Sequence, residues 1–438
     1  MKNKVIARVA PSPTGPFHLG TARTALFNYL FVKKTGGQLL LRIDDTDSER
    51  SRDEYEQNIR EGLEWLGLKF DADYKQSERT EIYKQELEKL IASGQAYVSK
   101  EEIKEAGQRS EVIRLKNAGE DVTFADLIRG EITFNTQELG DFVIAKDLTN
   151  PLYHFASVVD DKELGVNHII RGDDHLSNTA RQILIGQAIG AKTPKFAHIP
   201  LILAPDRSKL SKRHGATGLL TYRDLGYLSE AMVNFLALLG WSPQAKGGAE
   251  ADDVLSLPEI IELFDLADVQ KSGAVFDVEK LNSLNREYLK KLMPELAAGW
   301  LAKGLTDTTK NLTDYDEAKL ANIAPVILER VSNYDELREA EEVGELKFWF
   351  EAPTPDDELI KNKAHLPKLA ELLEKVNESD WTTENIKNTV WDFATETGRG
   401  EVLWPMRVAL TGLPKSPDPF LVAEKLGKAE TLTRLSKF

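Results

Sequence analysis

Residues Pro11 to Thr21 read PSPTGPFHLGT, and this stretch decides the fold. An apolar run, Val5-Ile6-Ala7-Arg8-Val9-Ala10, precedes it and reads as a buried parallel strand. A helical pattern follows from about Thr21 to Lys34 and stops at Gly36-Gly37; Lys33 and Lys34 suit the negative end of its dipole. The stretch therefore occupies a strand-to-helix turn at the carboxyl edge of an α/β sheet. Ligands bind at such edges, and the free N–H groups of a helix N-terminus favour anions. Pro11, Pro13, Gly15 and Pro16 fix an irregular loop, and His18 and Thr21 stand where a phosphate would lie.

Outward from there, Leu39 to Ile43 reads as a second strand running into the acidic loop Asp44-Asp45-Thr46-Asp47. Ser51 with Glu54 reads as a capping box opening a helix that Gly67 closes. A second amphipathic helix spans about Glu78 to Ser93. Residues 95–150 change to short strand-like runs with turns between them, an α+β insertion splitting the sheet. Parallel-sheet patterning then returns: a strand over Val166–Ile170, then Arg171-Gly172-Asp173-Asp174-His175, a helix over Asn178–Ile189 capped by Ser177, and a strand over Phe196–Leu203. The loop Lys209-Leu210-Ser211-Lys212-Arg213-His214-Gly215 follows. Past residue 222 the patterns are helical: 228–239, 258–266, 278–292, 317–330, 366–376, 383–395 and 419–426, with joints expected at Gly247-Gly248 and at Ala352-Pro353-Thr354-Pro355.

Composition narrows the class. The chain has 438 residues, room for two to four domains, and 41% hydrophobic with 29% charged residues is ordinary for a soluble globular protein. No run of about 18 apolar residues is present, and Met1 to Ser12 lacks the apolar core of a secretory signal, so no membrane association and a cytoplasmic location are expected. The chain has no cysteine, which removes disulfides, thiol nucleophiles and thiolate zinc sites together. A net charge of −15 speaks against nucleic acid as a partner, but a large enzyme needs only a local basic face. From Asp206 to Arg223 there are five cations, Arg207, Lys209, Lys212, Arg213 and Arg223, against one acid.

Four stretches carry a family resemblance. His18-Leu19-Gly20-Thr21 resembles the HIGH motif of class I aminoacyl-tRNA synthetases, and Arg8-Val-Ala-Pro-Ser-Pro-Thr-Gly is similar to its glutamyl version. Lys209-Leu-Ser-Lys-Arg213 resembles the family's KMSKS loop. Two lysines three apart can follow a phosphate charge that moves during reaction. Pro151 to Asp161, PLYHFASVVDD, and Ile170 to His175, IRGDDH, resemble two further family segments, all in the family's order. The helical end around Leu403 to Gly412 also looks like the family's anticodon-binding part.

The resemblance implies a Rossmann-like parallel-sheet catalytic domain over 1–94 and 151–221, split by an α+β connective insertion at 95–150 that would take the acceptor end. It implies a helical stem-contact domain over 222–290 and an all-α C-terminal half over 291–438, jointed near 353. It implies ATP-dependent ligation of L-glutamate to tRNA(Glu) through glutamyl-adenylate, with MgATP as substrate. Charging of tRNA(Gln) stays open, and a monomer is expected. By position, His18, Lys209 and Lys212 match catalytic residues. Pro11, Ser12, His18, Gly20, Thr21, Asp174, His175, Lys209, Ser211 and Lys212 match the ATP site. Arg8, Ser12, Asp44, Tyr153 and Arg171 match the glutamate pocket, where Asp44 would take the α-ammonium. Two arginines suit a substrate with two carboxylates. The family usually has Glu where this chain has Asp44, and residues 95–112 look shortened and without cysteines, so no zinc is expected. The competing readings are a catalytically silent tRNA- or protein-binding paralogue, a tRNA-base glutamylating relative, a glutaminyl enzyme, and a cofactor-forming nucleotidyltransferase. The helical half argues against the last three, which lack it.

Overall fold

The computed structural model describes residues 4–101, 111–211, 218–243, 253–354, 356 and 358–437. Lys212 to Gly215, Gly247-Gly248 and Pro355 lie outside them. The chain divides into two compact units, Met1–Leu284 and Asn285–Phe438.

The first unit is built on a seven-stranded sheet. Strands β1 (Ile6–Val9), β2 (Gln38–Ile43) and β3 (Ala72–Lys75) alternate with helices α1 (Leu19–Thr35) and α2 (Asp53–Trp65), and α3 (Thr80–Ala92) follows. Next come β4 (Ala96–Lys100), β5 (Glu111–Leu115), β6 (Val122–Asp126), β7 (Gly130–Phe134), β8 (Phe142–Asp147) and β9 (Asn150–Pro151). Helix α4 (Tyr153–Glu163), β10 (His168–Gly172), α5 (Leu176–Ala188) and β11 (Lys195–Ile199) complete the sheet-forming part. The order is β3-β2-β1-β10-β11-β6-β7, parallel throughout except for the β6–β7 hairpin. From β1 the chain winds to β2 on one side, while β10 lies on the other. The order in which the chain adds strands reverses between β1 and β10, and the crevice beyond the carboxyl ends of those two strands is where α/β sheets take ligands.

The segment read as an insertion behaves in two ways. Strands β4, β5, β8 and β9 form their own antiparallel sheet, but β6 and β7 join the edge of the large one. The side chains of β6 decide this: they alternate buried and exposed, with Val122, Phe124 and Asp126 inward. Phe124 packs edge-on against Phe196 of β11 at 5.3 Å, and the Leu127 N–H bonds the Phe196 carbonyl at 2.8 Å.

Element ends differ from expectation where tertiary bonds compete with local signals. Helix α2 begins after Arg52, whose N–H is given to the Pro13 carbonyl, so Ser51 makes no cap and its hydroxyl is buried without a partner. Helix α5 starts after His175, placing Ser177 inside the helix rather than at its cap. The strand expected over 196–203 breaks at Pro200, which has no N–H to give, into β11 and β12 (Ile202–Leu203). Helices α6 (Leu219–Asp224), α7 (Ser229–Leu238) and α8 (Leu257–Leu263) follow, the last opened by a Ser256–Glu259 capping box, and β13 (Ala274–Val275) pairs with β12. Helix α9 (Val278–Lys290) carries the chain across the unit boundary.

In its described residues the second unit is helical: α10 (Pro294–Gly304), α11 (Asp307–Lys310), α12 (Glu317–Leu328), α13 (Tyr334–Glu342), α14 (Lys347–Phe350), α15 (Leu366–Glu374), α16 (Thr383–Thr397), α17 (Arg399–Thr411), α18 (Pro419–Leu426) and α19 (Lys428–Leu435), with short 3₁₀ turns between some of them. Trp349 and Arg434 are fully buried there, and Arg434 bonds the Phe348 carbonyl at 2.8 Å and Glu430 at 2.7 Å. Among the described residues no helix is long and apolar enough to cross a membrane.

Candidate active site

The loop after β1 is pinned before any ligand arrives. The Pro11 carbonyl accepts the Asp44 N–H at 3.0 Å, tying the loop to the end of β2, and the Phe17 N–H bonds Asn58 of α2 at 2.8 Å. His18 is the N-cap of α1. Its Nδ1 accepts the Thr21 N–H at 3.3 Å, and its Nε2 lies 3.0 Å from the Thr21 hydroxyl. An Nδ1 that accepts leaves the proton on Nε2, so the ring is neutral with one donor. Burial pushes its pKa below the ordinary value, Asp174 pulling it up and Lys209 down again. Gly20 makes the arrangement fit, because a Cβ there would lie 3.2 Å from His18 Cε1 and Nδ1. The positive end of α1 and this imidazole together favour an anion here.

The other bank is the end of β10. Asp174 and His175 follow Gly172, where a Cβ would meet Asp174 Oδ1 at 2.5 Å. Lys209 Nζ lies 3.5 Å from Asp174 Oδ2, with both side chains well exposed. Lys209 bridges to Leu203, and Gly218 bridges to His18, with the Leu219 N–H on the Phe17 carbonyl at 2.8 Å. Ser211 is partly buried beside Lys209, and Lys212 lies outside the described residues.

Deeper between β1, β2 and β10 lies a cluster of buried charge. Arg8 is buried, with its Nε on Asp161 at 3.2 Å. Arg42, fully buried, forks onto both oxygens of Asp44 at 2.6 and 3.0 Å, reaches Asp161 at 2.8 Å and bonds the Ser157 hydroxyl at 3.0 Å. The Asp44 carboxyl is pushed up to about 6 by burial, against the pull of Arg42 and Arg8. Asp160 is fully buried and takes Gln76, Arg79 and Tyr83 at 2.7 to 2.8 Å.

Arg171 is different. It is 5% exposed and has no ion pair among the described residues. Its Nη1 bonds Gln182 at 2.6 Å, its Nη2 bonds Thr179 at 2.7 Å, and its Nε points at His198 Nε2 at 3.2 Å. Burial draws its pKa down to about 10, against the pull of the Tyr153 phenol. Tyr153 stands over His154 and His175, with ring centroids 5.3 and 6.0 Å away. Burial pushes both imidazoles down to about 4, with nearby arginines adding to it.

Arg8, Pro11, Ser12, His18, Gly20, Thr21, Asp44, Tyr153, Arg171, Asp174, His175 and Lys209 thus all lie at or beside the carboxyl ends of β1, β2 and β10. Both oxygens of Asp44, expected to face a substrate ammonium, are already held by Arg42. Arg42 belongs to none of the four motifs, although a lone arginine between Leu41 and Ile43 in a buried strand is a signal in the sequence; Asp126 and His198 carry no motif. Chemically, the crevice offers neutral donors at the start of α1, the Lys209 ammonium on the other bank, and, deeper, two guanidinium groups, of which Arg171 has no ion pair among the described residues.

Comparison with known proteins covers both units. Residues 4–111 and 99–283 match the family of class I tRNA synthetases (E and Q), catalytic domain, and 284–438 match an anticodon binding domain. The chain is 40% identical over 484 residues to a glutamate–tRNA ligase of Carboxydothermus hydrogenoformans, covering 98% of this chain and 99% of the relative. It is 40% identical over 475 residues to one of Thermodesulfovibrio yellowstonii, covering 99% of each. The crystal structure of a glutamate tRNA ligase from Elizabethkingia meningosepticum, in complex with its amino acid, superposes with a TM-score of 0.85 at 32% identity over 99% of both chains. The chain belongs to the glutamate–tRNA ligases, within the class I aminoacyl-tRNA synthetases.

Proposed function

We propose that the chain joins L-glutamate to tRNA in two steps driven by MgATP. In the first, an oxygen of the glutamate α-carboxylate attacks the α-phosphorus, the bond to the β-phosphate breaks, and pyrophosphate leaves from glutamyl-adenylate. In the second, a ribose hydroxyl of the terminal adenosine attacks the acyl carbon and AMP leaves. The enzyme contributes position and charge rather than a covalent intermediate. The His18 Nε2–H, Thr21, the α1 N-terminus, Lys209 and Lys212 meet the phosphates, while Ser12, Asp174 and His175 line the nucleotide. Arg8 and Arg171 take the carboxylates with Tyr153 beside them, and the buried acids around Arg42, Asp44 included, keep that end of the pocket favourable to the α-ammonium.

The observation that carries this reading is Arg171: a buried guanidinium with no ion pair among the described residues, in the same crevice as a helix N-terminus. A buried cation left unpaired is costly unless a ligand pairs it. The sheet of β4, β5, β8 and β9 would guide the acceptor end, residues 222–290 the stem, and 291–438 the anticodon. The enzyme works in the cytoplasm as a monomer.

The test is ATP-dependent attachment of labelled glutamate to total tRNA, fractionated by acceptor. Label on glutamate acceptors alone marks a discriminating enzyme, and label also on glutamine acceptors a non-discriminating one. No label from folded, ATP-binding protein overturns the reading in favour of a silent paralogue.

A further inference from the structure

Three neutral groups, Gln182, Thr179 and His198, hydrogen-bond the Arg171 guanidinium, with the Tyr153 phenol interacting as well, and the tautomer of one of the three is set by a fourth residue. His198 Nε2 faces Arg171 Nε at 3.2 Å, and a guanidinium N–H can only donate. The ring nitrogen must therefore carry a lone pair. Its other nitrogen, Nδ1, lies 2.6 Å from Asp126 Oδ2, and a carboxylate can only accept, so the proton sits on Nδ1. Asp126 is itself fixed: its oxygens accept the N–H groups of Ile128 at 2.9 Å, Arg129 at 2.8 Å and His198 at 3.1 Å. The series crosses three adjacent strands, β6, β11 and β10. Phe196 is in register with Asp126, and His198 with Arg171.

His198 is fully buried and Asp126 is 5% exposed. The ring is faced by Asp126 from β6, by Arg171 from β10, by Thr179 from α5 at 3.1 Å, and by Asp173 and His175 in the turn between; Phe124 and Phe196 cover its faces. Burial keeps His198 below its ordinary pKa, as a ring that accepts from arginine requires.

We propose that Asp126 and His198 are positioning residues for the Arg171 guanidinium: Asp126 selects the His198 tautomer, and that tautomer orients Arg171 without neutralising it, leaving its full charge for the substrate carboxylate. The inference rests on Arg171 being the carboxylate receptor. A carboxylate in place of His198 would hold the guanidinium equally well but consume its charge, and preference for an acid over its amide would fall.

The deciding variant is Asp126→Asn, close to isosteric. Its amide N–H donates to His198 Nδ1, moves the ring proton to Nε2, and sets that proton against Arg171. KM for glutamate rises about tenfold, as for one lost charge-assisted bond. KM for ATP stays put, and the ratio of kcat/KM for glutamate over glutamine narrows. Nitrogen-15 shifts of the histidine rings report Nδ1–H in the wild type and Nε2–H in the variant. A flipped tautomer with unchanged KM for glutamate, or Nε2–H already in the wild type, overturns the proposal. If Asp126→Asn does not fold, a second pair decides. His198→Gln keeps an acceptor for Arg171 and retains most of the affinity, whereas His198→Leu loses it; equal KM values for the two overturn the proposal. Arg171→Gln separates the two levels. Unchanged KM for glutamate there removes the receptor reading itself. A raised KM there, with wild-type behaviour in the Asp126 and His198 variants, removes only the positioning role.

Discussion

At the scale of single residues, the site depends on which side chains leave room for others. Gly20 occupies the second position of α1, where alanine would favour the helix by about 1 kcal/mol. Its added Cβ, however, would press on the His18 ring at 3.2 Å. Gly20→Ala is therefore expected to keep or raise thermal stability while lowering the rate of glutamyl transfer roughly tenfold, because the ring is displaced from the phosphates. A wild-type rate in that variant would show that His18 does not act from this position. How much of the residue scale could be read in advance divides by distance along the chain. His18, Gly20 and Thr21 interact within three residues, so a motif records them. The partnerships Arg42–Asp161, Arg8–Asp161 and Asp126–His198 span 119, 153 and 72 residues. No local pattern records such pairs, because strand register brings them together.

At the scale of elements, the catalytic loop is held by a close approach of α2. Gly62 faces Phe17, and a Cβ there would come within 2.5 Å of the Phe17 ring and 3.3 Å of Leu219, next to the Gly218–His18 bridge. Gly62→Ala must move the helix or the loop. It is expected to destabilise the protein by about 1–3 kcal/mol, in the range for overpacked cores, and to lower kcat as well, since the loop carries His18. Urea denaturation and steady-state kinetics on the same preparation check this; a shift in neither would mean that α2 does not brace the loop. The helix start itself illustrates the limit of local signals. Ser51 and Glu54 spell a capping box, but the Arg52 N–H goes to Pro13, and the tertiary bond wins.

At the scale of the whole molecule, charge and protons set the expected behaviour. Although the net charge is −15, binding of tRNA should weaken steeply with salt, by at least about tenfold between about 50 and 200 mM, because phosphate contacts release counterions. A flat response would exclude phosphate contacts as the main source of affinity. Stability should fall with acid. His154 and His175 are pushed down to about 4, so between that value and the unfolded value of about 6.5 the unfolded chain binds more protons, and stability drops as pH drops through that window. Asp44, raised to about 6, has the opposite sign: the native state binds more protons between about 4 and 6, so its contribution is lost as pH rises. Two histidines against one aspartate make the net effect a lower melting temperature at pH about 4.5 than at about 7. His154→Gln should shrink that difference, since the His154 Nδ1 is buried without a partner. An equal difference in the variant would place the proton-linked loss elsewhere.

The sequence by itself determined the strand–loop–helix at residues 5–34, the order of the motifs, the split parallel sheet and the helical second half. These follow from hydrophobic period and from turn and cap residues that act within a few positions. Only the tertiary structure decided that β6 and β7 close the edge of the large sheet, that Arg42 already occupies Asp44, and that Arg171 stands buried among neutral partners. α17 is helical through Pro405, because burial of one face outweighs local propensity. The physical reason is common to all of these. Register and packing bring together residues far apart in the chain, and a buried charge takes its character from the partners it meets there.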